Sequence, residues 1–363
     1  MIYHIYWGTR GNSGLYLDEI YQCLKRGGYN QKLFVSYYYP FEYGEKIFFR
    51  YSDLAYCKVK GFWRKIIQVY EILLAFGRIL FAAKNDKPQV VNYSLITGSY
   101  GFIVVFLKLL RSISGCKLVI TCHDVLPFGN NNRYASEMKN RRLLFTMADY
   151  LLVHNDSSIH DLENNFSIDR KKVVKHLFPL MDLTKINSIN KREKNIDFLF
   201  IGHLRKEKGV DFLIRAWATY YEYNKKATLW ICGKPYGQNL DVDSLKKQNI
   251  FCNLGYISED DYCRYIQSAR YVILPYIKGT NSGIISTVLS LGANVITSDI
   301  PMFLNNPLVS QEDMFKVEDV KSFVEILEHK YSLNTDNFIK EKLVKYRKNF
   351  EEEVLNVYKT INQ

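Results

Sequence analysis

Short apolar runs and longer amphipathic stretches alternate along this chain. A run such as 198–201 is entirely apolar and stops at a glycine, which is the pattern of a buried strand that ends at a turn. The stretches between the runs place apolar residues three or four positions apart, as one face of a helix requires. Buried strands that alternate with helices form parallel sheets covered by helices. The pattern therefore predicts an α/β protein.

The same pattern occurs in both halves of the chain. In the first half it predicts strands at 3–7, 32–36, 89–93, 117–121, 150–154 and 173–177. It predicts helices there at 15–26, 101–110, 141–149 and 156–166. The second half repeats the order, with strands at 198–201, 228–232, 250–253, 271–274 and 294–297 and helices at 210–223, 259–268 and 284–291. This repetition predicts two Rossmann-like parallel-sheet domains.

A break in the pattern separates the two halves. Residues 182–195 are polar, rich in Lys and Asn and without periodicity, which is typical of an interdomain linker. We therefore predict an N-terminal domain at 1–183, a linker at 184–195 and a C-terminal domain at 196–340. The charged, helical pattern of the last residues predicts a separate helix at 341–363.

The segment 197–217, DFLFIGHLRKEKGVDFLIRAW, joins a predicted strand to a predicted helix through a basic loop. The loop holds four basic or imidazole side chains between two glycines: His203, Arg205, Lys206 and Lys208, between Gly202 and Gly209. Cationic side chains and free backbone N–H groups at a helix N-terminus bind anions, most simply a diphosphate. A solvated loop without a ligand is the alternative interpretation of the same residues.

Three further features lie next to predicted strands or helices. The turn 8–14, GTRGNSG, opens the first predicted helix and is able to approach a phosphate, although a plain turn explains it equally well. His123 follows a predicted strand, where α/β sheets hold functional groups, and a structural histidine is the alternative. Asn281, Ser282 and Gly283 precede a predicted helix, either as a source of anion-binding N–H donors or as an ordinary helix cap.

The stretch 58–83, KVKGFWRKIIQVYEILLAFGRILFAA, has a broad apolar helical face and a basic start. Four cations flank two aromatic residues there: Lys58, Lys60, Arg64 and Lys65 beside Phe62 and Trp63. A basic amphipathic helix with aromatic residues binds anionic membrane surfaces. Burial in the domain core explains the apolar residues equally well. The sequence leaves both interpretations open.

Composition and charge narrow the class of protein. A chain of 363 residues that is 47% hydrophobic is long and apolar enough for two domains with full cores. Its formal charge of +12 favours an anionic partner, such as a nucleotide or a phospholipid surface. The basic residues are dispersed and match no recognition motif, so we expect no nucleic-acid partner. Seven scattered cysteines in apolar surroundings indicate reduced thiols in a cytoplasmic protein.

The segment GHLRKEKGVDFLIRAW resembles the donor site of family 4 glycosyltransferases, where a strand is followed by glycine, a basic residue, Lys-Gly and a helix. VITCHDVLPF resembles the strand-His-Asp-x-x-Pro element of that family, and GYISEDDYCRYIQSARYVILPY resembles its C-terminal domain. The resemblance implies the GT-B fold, in which two Rossmann-like domains face each other across a cleft. It implies that the helix at 341–363 crosses back to the N-terminal domain. It also implies that Arg205 and Lys208 hold the diphosphate of a nucleotide sugar and that His123 faces the donor sugar.

The resemblance assigns further donor contacts to glycines and small polar residues: Gly14, Gly202, Asn281, Ser282 and Gly283. The chain departs from the family pattern in two places. His203 stands where an Arg usually follows the glycine, so Arg205 takes over that role. Commoner members carry two Glu separated by seven residues, whereas Gly279 and Thr287 occupy those positions here. The chain therefore resembles the subgroup that lacks the paired Glu.

These features predict a hexosyltransferase that uses a UDP- or GDP-linked sugar and a glycan or polyprenyl-linked acceptor, in the synthesis of a surface polysaccharide. Fixed cations stabilise a leaving diphosphate without a metal. Asp241-Val242-Asp243 is interpreted as a helix N-terminus, so we expect no metal or other cofactor. Retention of configuration is implied by the resemblance alone. The predicted location is the cytoplasm, with peripheral contact to the inner face of the membrane.

Two other functions stay open. A nucleotide-sugar epimerase of the same fold would need additional acidic residues at the donor, which the sequence does not show. A sugar-nucleotide-binding or scaffold protein that has lost turnover agrees with the missing Glu pair. Binding of a nucleotide sugar without turnover would favour this second alternative.

Overall fold

The computed structural model describes nine stretches of the chain: 1–8, 13–52, 61–94, 100–127, 134–183, 192–237, 240–279, 283–333 and 338–363. These residues form two compact units, one of Met1–Pro179 with Asn349–Gln363 and one of Leu180–Lys348. Each unit is built on one parallel sheet with helices against it. The predicted α/β class with two Rossmann-like sheets is therefore confirmed.

The first unit contains a seven-stranded sheet. Its strands are β1 (Ile2–Tyr6), β2 (Gln31–Ser36), β3 (Glu45–Phe48), β4 (Val90–Ser94), β5 (Lys117–Thr121), β6 (Tyr150–Val153) and β7 (Val173–Lys175). The helices that follow them are α1 (Ser13–Arg26), α2 (Phe62–Asp86), α3 (Tyr100–Ser114), α4 (Tyr134–Met147) and α5 (Asp156–Phe166). The strand order is β3-β2-β1-β4-β5-β6-β7, and all pairs are parallel.

Alternation along β1 divides the core of this unit between the two faces of the sheet. Tyr3 and Ile5 join a large apolar cluster together with residues of α2, α3, α4 and α5. Phe76 of α2 stacks on Phe106 of α3 with ring centroids 3.7 Å apart, which packs these helices side by side. Tyr6 points to the other face, where it packs with Leu17 of α1. The period of two along the strand decides which side chains each face receives.

The second unit contains a six-stranded sheet. Its strands are β8 (Ile196–Ile201), β9 (Leu229–Gly233), β10 (Ile250–Leu254), β11 (Ala269–Leu274), β12 (Asn294–Ser298) and β13 (Met314–Phe315). Its helices are α6 (Val210–Tyr223), α7 (Val242–Lys246), α8 (Glu259–Ser268), α9 (Ile284–Ser290), α10 (Pro301–Leu304) and α11 (Val320–Ser332). The last helix, α12 (Phe338–Asn362), begins in this unit, and its residues from Asn349 onward belong to the first unit. The strand order is β10-β9-β8-β11-β12-β13.

Each sheet changes direction once along the chain. In the first sheet the chain runs outward from β1 to β3 and then returns to β4 on the other side of β1. In the second sheet it runs from β8 to β10 and returns to β11 beside β8. Ligands of open parallel sheets bind at the carboxyl ends of the strands, next to such a switch point.

Several predicted bounds were wrong, and some elements were not predicted. The helix predicted at 141–149 begins at Tyr134 and ends at Met147, because its first two turns are polar and lack a clear apolar repeat. The strands β3 and β13 and the helices α10 and α11 were missed. Both missed strands lie at sheet edges, where a short and partly exposed strand carries no continuous apolar run.

The predicted domain limits at 183, 196 and 340 stay predictions, and residues 184–191 of the predicted linker lie outside the described residues.

Asp241 accepts a hydrogen bond from the Ser244 N–H and caps α7, which confirms the interpretation of Asp241-Val242-Asp243 as a helix N-terminus. None of the six cysteines in the described stretches forms a disulfide, and five of them are buried.

Candidate functional site

Two glycines bring the ends of β8 and β9 unusually close together. The Gly202 N–H donates to the Cys232 carbonyl at 2.9 Å. A Cβ atom on Gly233, which has a φ of 145°, would lie 1.7 Å from the Gly202 carbonyl oxygen. Pairing then continues past the strands, because Leu204 N–H donates to Lys234 O at 2.9 Å and Tyr236 N–H donates to Leu204 O at 3.0 Å. The two loops therefore run side by side at the carboxyl edge of the sheet.

A group of cationic side chains surrounds Tyr236 on these two loops. The Arg205 Cζ atom lies 4.8 Å from the centroid of the Tyr236 ring, and the Lys234 Nζ atom lies 5.7 Å from it. The His203 ring contacts the same tyrosine at a centroid distance of 5.2 Å. The tyrosine and these three side chains are exposed, and cation–π and edge contacts with the phenol ring bring them together.

Lys208 is held next to these residues by a tight turn. The turn Lys206–Lys208 ends at Gly209, whose φ of 70° lies in the left-handed region, and a Cβ atom there would lie 1.8 Å from the Pro275 carbonyl oxygen. The Ile277 N–H donates to Glu207 O at 3.0 Å and fastens the turn to the segment after β11. The Lys208 Nζ atom then lies 3.6 Å from the centroid of the buried Tyr276 ring. We call His203, Arg205, Lys208 and Lys234 the cationic cluster.

Burial and like charge shift the pKa values of this cluster. Burial, with the charge of Arg205 acting in the same direction and that of Glu207 in the opposite one, lowers the pKa of Lys208 to about 8. Burial also lowers the pKa of His203, and the charges of Arg205, Lys208 and Lys234 add to this effect. The cluster therefore holds more positive charge than its surroundings compensate. A bound anion would stabilise the charged form of Lys208.

The N-terminus of α6 lies directly after this turn. Gly209 precedes Val210, the first residue of α6, and no side chain caps the helix there. The N–H groups of the first turn of a helix carry partial positive charge and have no partner inside the helix. Cationic side chains and a helix N-terminus together form a site suited to a diphosphate.

The structure places Gly202, Arg205 and Lys208 of the predicted donor site in one region. Sequence reasoning missed Lys234, Tyr236 and Tyr276. One signal was present, because Cys232-Gly233-Lys234 repeats the order of apolar residue, glycine and basic residue at the end of the next strand. Lys234 and Tyr236 lie near the basic loop because β8 pairs with β9, and Tyr276 lies near it because β8 pairs with β11. These pairings are not evident from the sequence.

The predicted contacts before α9 are described only in part, because Asn281 and Ser282 lie outside the described residues. Gly283 precedes α9, and its carbonyl accepts hydrogen bonds from Ser286 Oγ at 2.9 Å and Thr287 Oγ1 at 3.1 Å. A Cβ atom on Gly279 would lie 2.6 Å from the Met302 sulfur. The two positions of the Glu pair are therefore occupied by a glycine next to the Met302 side chain and by a buried threonine bonded to the Gly283 carbonyl.

Three histidines follow three neighbouring strands of the first sheet. His123 lies two residues after β5, and His154 and His176 follow β6 and β7 directly. Tyr16 of α1 contacts all three rings, with centroid distances of 4.6, 5.1 and 6.2 Å. Sequence reasoning identified only His123. We call these four residues the histidine cluster.

Hydrogen bonding and burial keep the histidine cluster neutral. The Nδ1–H of His176 donates to Leu177 O at 2.6 Å, which leaves Nε2 to accept a hydrogen bond from the Tyr16 hydroxyl at 3.2 Å. Burial lowers the pKa of His123 and of His176 to about 4. Burial, with the neighbouring imidazoles, also lowers the pKa of His154. Neutral imidazoles at strand ends are able to exchange hydrogen bonds with hydroxyl groups of a ligand.

Gly14, a further predicted donor contact, lies in the first turn of α1 and is buried. A Cβ atom there would lie 3.1 Å from the Pro40 Cδ atom. The close packing of α1 against the segment after β2 accounts for this glycine. Its contact with a donor stays a prediction.

Comparison with known proteins places this geometry in context. The profile of the family described as Glycosyl transferases group 1 matches residues 195–331. HepE from Anabaena, solved in complex with UDP, has a TM-score of 0.59 at 11% identity over 99% of each chain. An E. coli structure described as trehalose-6-phosphate bound with UDP-2-fluoro glucose has a TM-score of 0.60 at 8% identity over 99% of each chain.

TarM from S. aureus is also similar, with a TM-score of 0.51 at 11% identity over 80% of this chain. The chain spans 58% of the length of TarM. No curated protein sequence matches the chain. At these identities the likenesses show the fold, and that fold is GT-B.

Proposed function

Since residues 195–331 match the profile of the group 1 glycosyltransferases and the chain has the GT-B fold, we propose that this protein transfers a hexose from a nucleotide-diphosphate sugar. The observation that carries the proposal is the cationic cluster at the N-terminus of α6. The UDP of the HepE complex and the UDP-2-fluoro glucose of the E. coli structure support this class of donor. The proposed base is uracil or guanine.

In the proposed reaction the bond between the anomeric carbon and the phosphate oxygen breaks, and its electron pair stays on the diphosphate. An acceptor hydroxyl forms the new bond to the anomeric carbon, and its proton passes to the oxygen of the leaving diphosphate. Arg205, Lys208 and Lys234 stabilise the charge that develops on the leaving group. These fixed cations perform the task that a divalent metal performs elsewhere, so we propose that transfer needs no metal.

We assign His123 to the donor sugar. Its neutral imidazole is able to orient a sugar hydroxyl, and its contact with Tyr16 fixes the plane of its ring. Retention of configuration is part of the proposal and depends on the resemblance to family 4 enzymes. Gly14, Asn281, Ser282 and Gly283 complete the proposed donor contacts.

The proposed acceptor is a glycan or a polyprenyl-linked sugar of a surface polysaccharide. An enzyme that uses cytoplasmic nucleotide sugars and a lipid-linked acceptor works at the inner face of the membrane. We therefore propose a cytoplasmic protein with peripheral membrane contact.

Calorimetric titration with UDP and GDP, followed by donor hydrolysis assays with their sugars, tests the proposal. We expect binding of one of the two diphosphates and its loss in Lys208→Ala. Lys247→Ala, which removes an exposed lysine of the same unit, serves as the matched control and should bind normally. Equal binding by wild type and Lys208→Ala would contradict the site.

A sugar-nucleotide-binding protein without turnover is the second candidate. The arrangement at Gly279 and Thr287 favours it, because a carboxylate is absent from both positions and Thr287 is buried. Tight nucleotide binding with no hydrolysis or transfer for any tested sugar would support this candidate over the enzyme.

A further inference from the structure

The outward face of α2 is apolar over nearly its whole length. Three of its large side chains are strongly exposed: Phe62 at 72%, Trp63 at 67% and Phe81 at 72%. Five more exposed residues between them are apolar and repeat at helical spacing: Ile66, Val69, Tyr70, Leu73 and Leu74. An ordinary surface helix presents polar residues on this side. Contiguous exposed apolar residues mark a surface that binds a partner.

The inward face of α2 explains only part of the apolar sequence. Ile72, Phe76 and Ile79 are buried in the core of the first unit. The two interpretations of 58–83 therefore apply to opposite faces of one helix. Lys58 and Lys60 lie outside the described residues.

The neighbouring helix α3 extends this surface. Val105, Leu109 and Ile113 are exposed and follow one another four positions apart, so they form a stripe along α3. The Phe76–Phe106 stack holds α2 and α3 together. We call the exposed apolar residues of both helices the α2–α3 face.

Charges around the α2–α3 face are almost all positive. The exposed or half-exposed cations on the two helices are Arg64, Lys65, Arg78, Lys84, Lys108 and Arg111, of which Arg111 pairs with Asp149 at 2.7 Å. The carboxylates on these helices, in contrast, are already bonded. Glu71 is buried and accepts N–H bonds from Tyr51 at 2.6 Å and Ser52 at 3.1 Å, while Asp86 pairs with Lys32. An apolar face bordered by cations complements an anionic lipid surface.

We propose that the α2–α3 face binds an anionic lipid bilayer with α2 lying in the plane of the membrane. By length and composition α2 is able to cross a membrane, with a mean hydropathy of 1.7 over its most apolar window. It instead connects β3 to β4, and its buried side packs in the core of the first unit, so it cannot leave that unit without exposing the core. From Phe62 to Phe81 the face is about 28 Å long. Insertion of α2 to the level of the lipid acyl chains would remove the α2–α3 face from water.

The inference names the surface behind the peripheral membrane contact and so rests on that part of the proposed function. Its readouts need neither donor nor acceptor. A failure of membrane binding is therefore distinguishable from a failure of sugar transfer, which the nucleotide titrations measure.

Co-sedimentation of the full-length protein with vesicles tests the proposal. We expect binding to vesicles of phosphatidylglycerol and phosphatidylcholine, and much weaker binding to phosphatidylcholine alone. Leu73→Asp and Phe81→Asp should each lower the partition coefficient at least tenfold, because a charge replaces an inserted side chain. Val344→Asp, which places the same charge at an equally exposed apolar position of α12, should leave it unchanged.

The charged border has its own test. Arg78→Gln and Lys108→Gln should each weaken binding to anionic vesicles about fivefold, since each removes one lipid-facing cation. Lys321→Gln, on the exposed side of α11, is the matched control. Insensitivity of binding to both substitutions and to salt would remove the electrostatic part of the proposal.

Trp63 reports insertion directly, since Trp7, Trp217 and Trp230 are largely buried. We expect a blue shift of fluorescence on addition of anionic vesicles and quenching by brominated acyl chains, both lost in Trp63→Phe.

A second copy of the chain is the competing occupant of the α2–α3 face. A concentration-dependent dimer that Leu73→Asp dissociates, with no vesicle binding by wild type, would overturn the proposal.

Discussion

Lys208 is a partly buried lysine whose positive charge its surroundings do not fully compensate. Its ammonium is half-buried, lies on the Tyr276 ring and is close to Arg205, which lowers its pKa to about 8. A diphosphate would supply the missing negative charge. Because the charged form of a half-buried lysine is disfavoured until the ligand arrives, ligand binding and protonation of Lys208 are coupled.

We predict that affinity for UDP or GDP weakens as the pH rises through about 8. Above this pH Lys208 is neutral in the free protein. Binding of the anion then requires Lys208 to take up a proton from solvent. Titrations between pH 6.5 and 9.5 should show a loss of about tenfold per pH unit at the upper end. In Lys208→Arg, whose guanidinium does not titrate in this range, the dependence should disappear.

Removing either cation should slow the proposed transfer. Arg205→Ala and Lys208→Ala should each lower kcat/KM by about 10²-fold or more, as expected when one preorganised charge at a developing anion is lost. Lys234→Ala should show a loss of similar kind, because Lys234 lies by the same Tyr236 ring. Steady-state rates measure this, and wild-type rates in all three variants would refute the site.

At the scale of single elements, the turn between β8 and α6 is held by close backbone contacts. Gly209 combines a positive φ with an approach to Pro275 O that leaves no space for a side chain. The same contact fixes Lys208 on Tyr276. Stability and ligand geometry therefore depend on one glycine.

We predict that Gly209→Ala destabilises the second unit by about 2 kcal/mol or more and also weakens nucleotide binding. Gly292→Ala is the matched control, because Gly292 has a φ of 81° but no atom within 4 Å of the added Cβ. It should cost about 1 kcal/mol, the cost of the backbone conformation alone. Equal unfolding free energies for the two variants in denaturant titrations would show that the contact with Pro275 does not matter.

At the scale of the whole molecule, buried histidines are concentrated in the first unit. His4 and the three histidines of the histidine cluster all have pKa values lowered by burial. Unfolded histidines titrate near pH 6.5. Between about pH 6.5 and pH 4 the unfolded chain therefore binds protons that the folded unit does not.

We predict that the free energy of unfolding falls as the pH decreases from about 6.5 to 4. Near pH 5, unfolding should take up about one proton for each of these histidines. His154→Gln should lower the number of protons taken up on unfolding, measured from the pH dependence of the unfolding free energy, by about one. His160→Gln, at an exposed position of α5, should leave it as in wild type. A slope in His154→Gln equal to that of wild type would contradict the assignment of a depressed pKa to His154.

Local periodicity was sufficient for many elements. The bounds of α5, α6, α8 and β5 agree with the predicted ranges, since an apolar repeat, a capping residue or a terminal glycine marks each of them. The edge strands β3 and β13 were missed because they are only four and two residues long. Helix α11 was missed although it carries local signals, an apolar repeat from Phe323 to Leu327 and the capping residue Asp319. The basic loop after β8 was also visible, because strand, glycines and helix are consecutive in sequence.

The sequence by itself determined the α/β class, the two sheets and the loop that carries Arg205 and Lys208, because all of these follow from neighbours along the chain. Only the tertiary structure decided that Lys234 and Tyr236 lie beside that loop, that three histidines meet around Tyr16, and that one apolar side of α2 stays outside the core. Each of these depends on which strands pair and which face of a helix the sheet covers. Those choices are made by packing over long sequence separations, where local patterns carry no information.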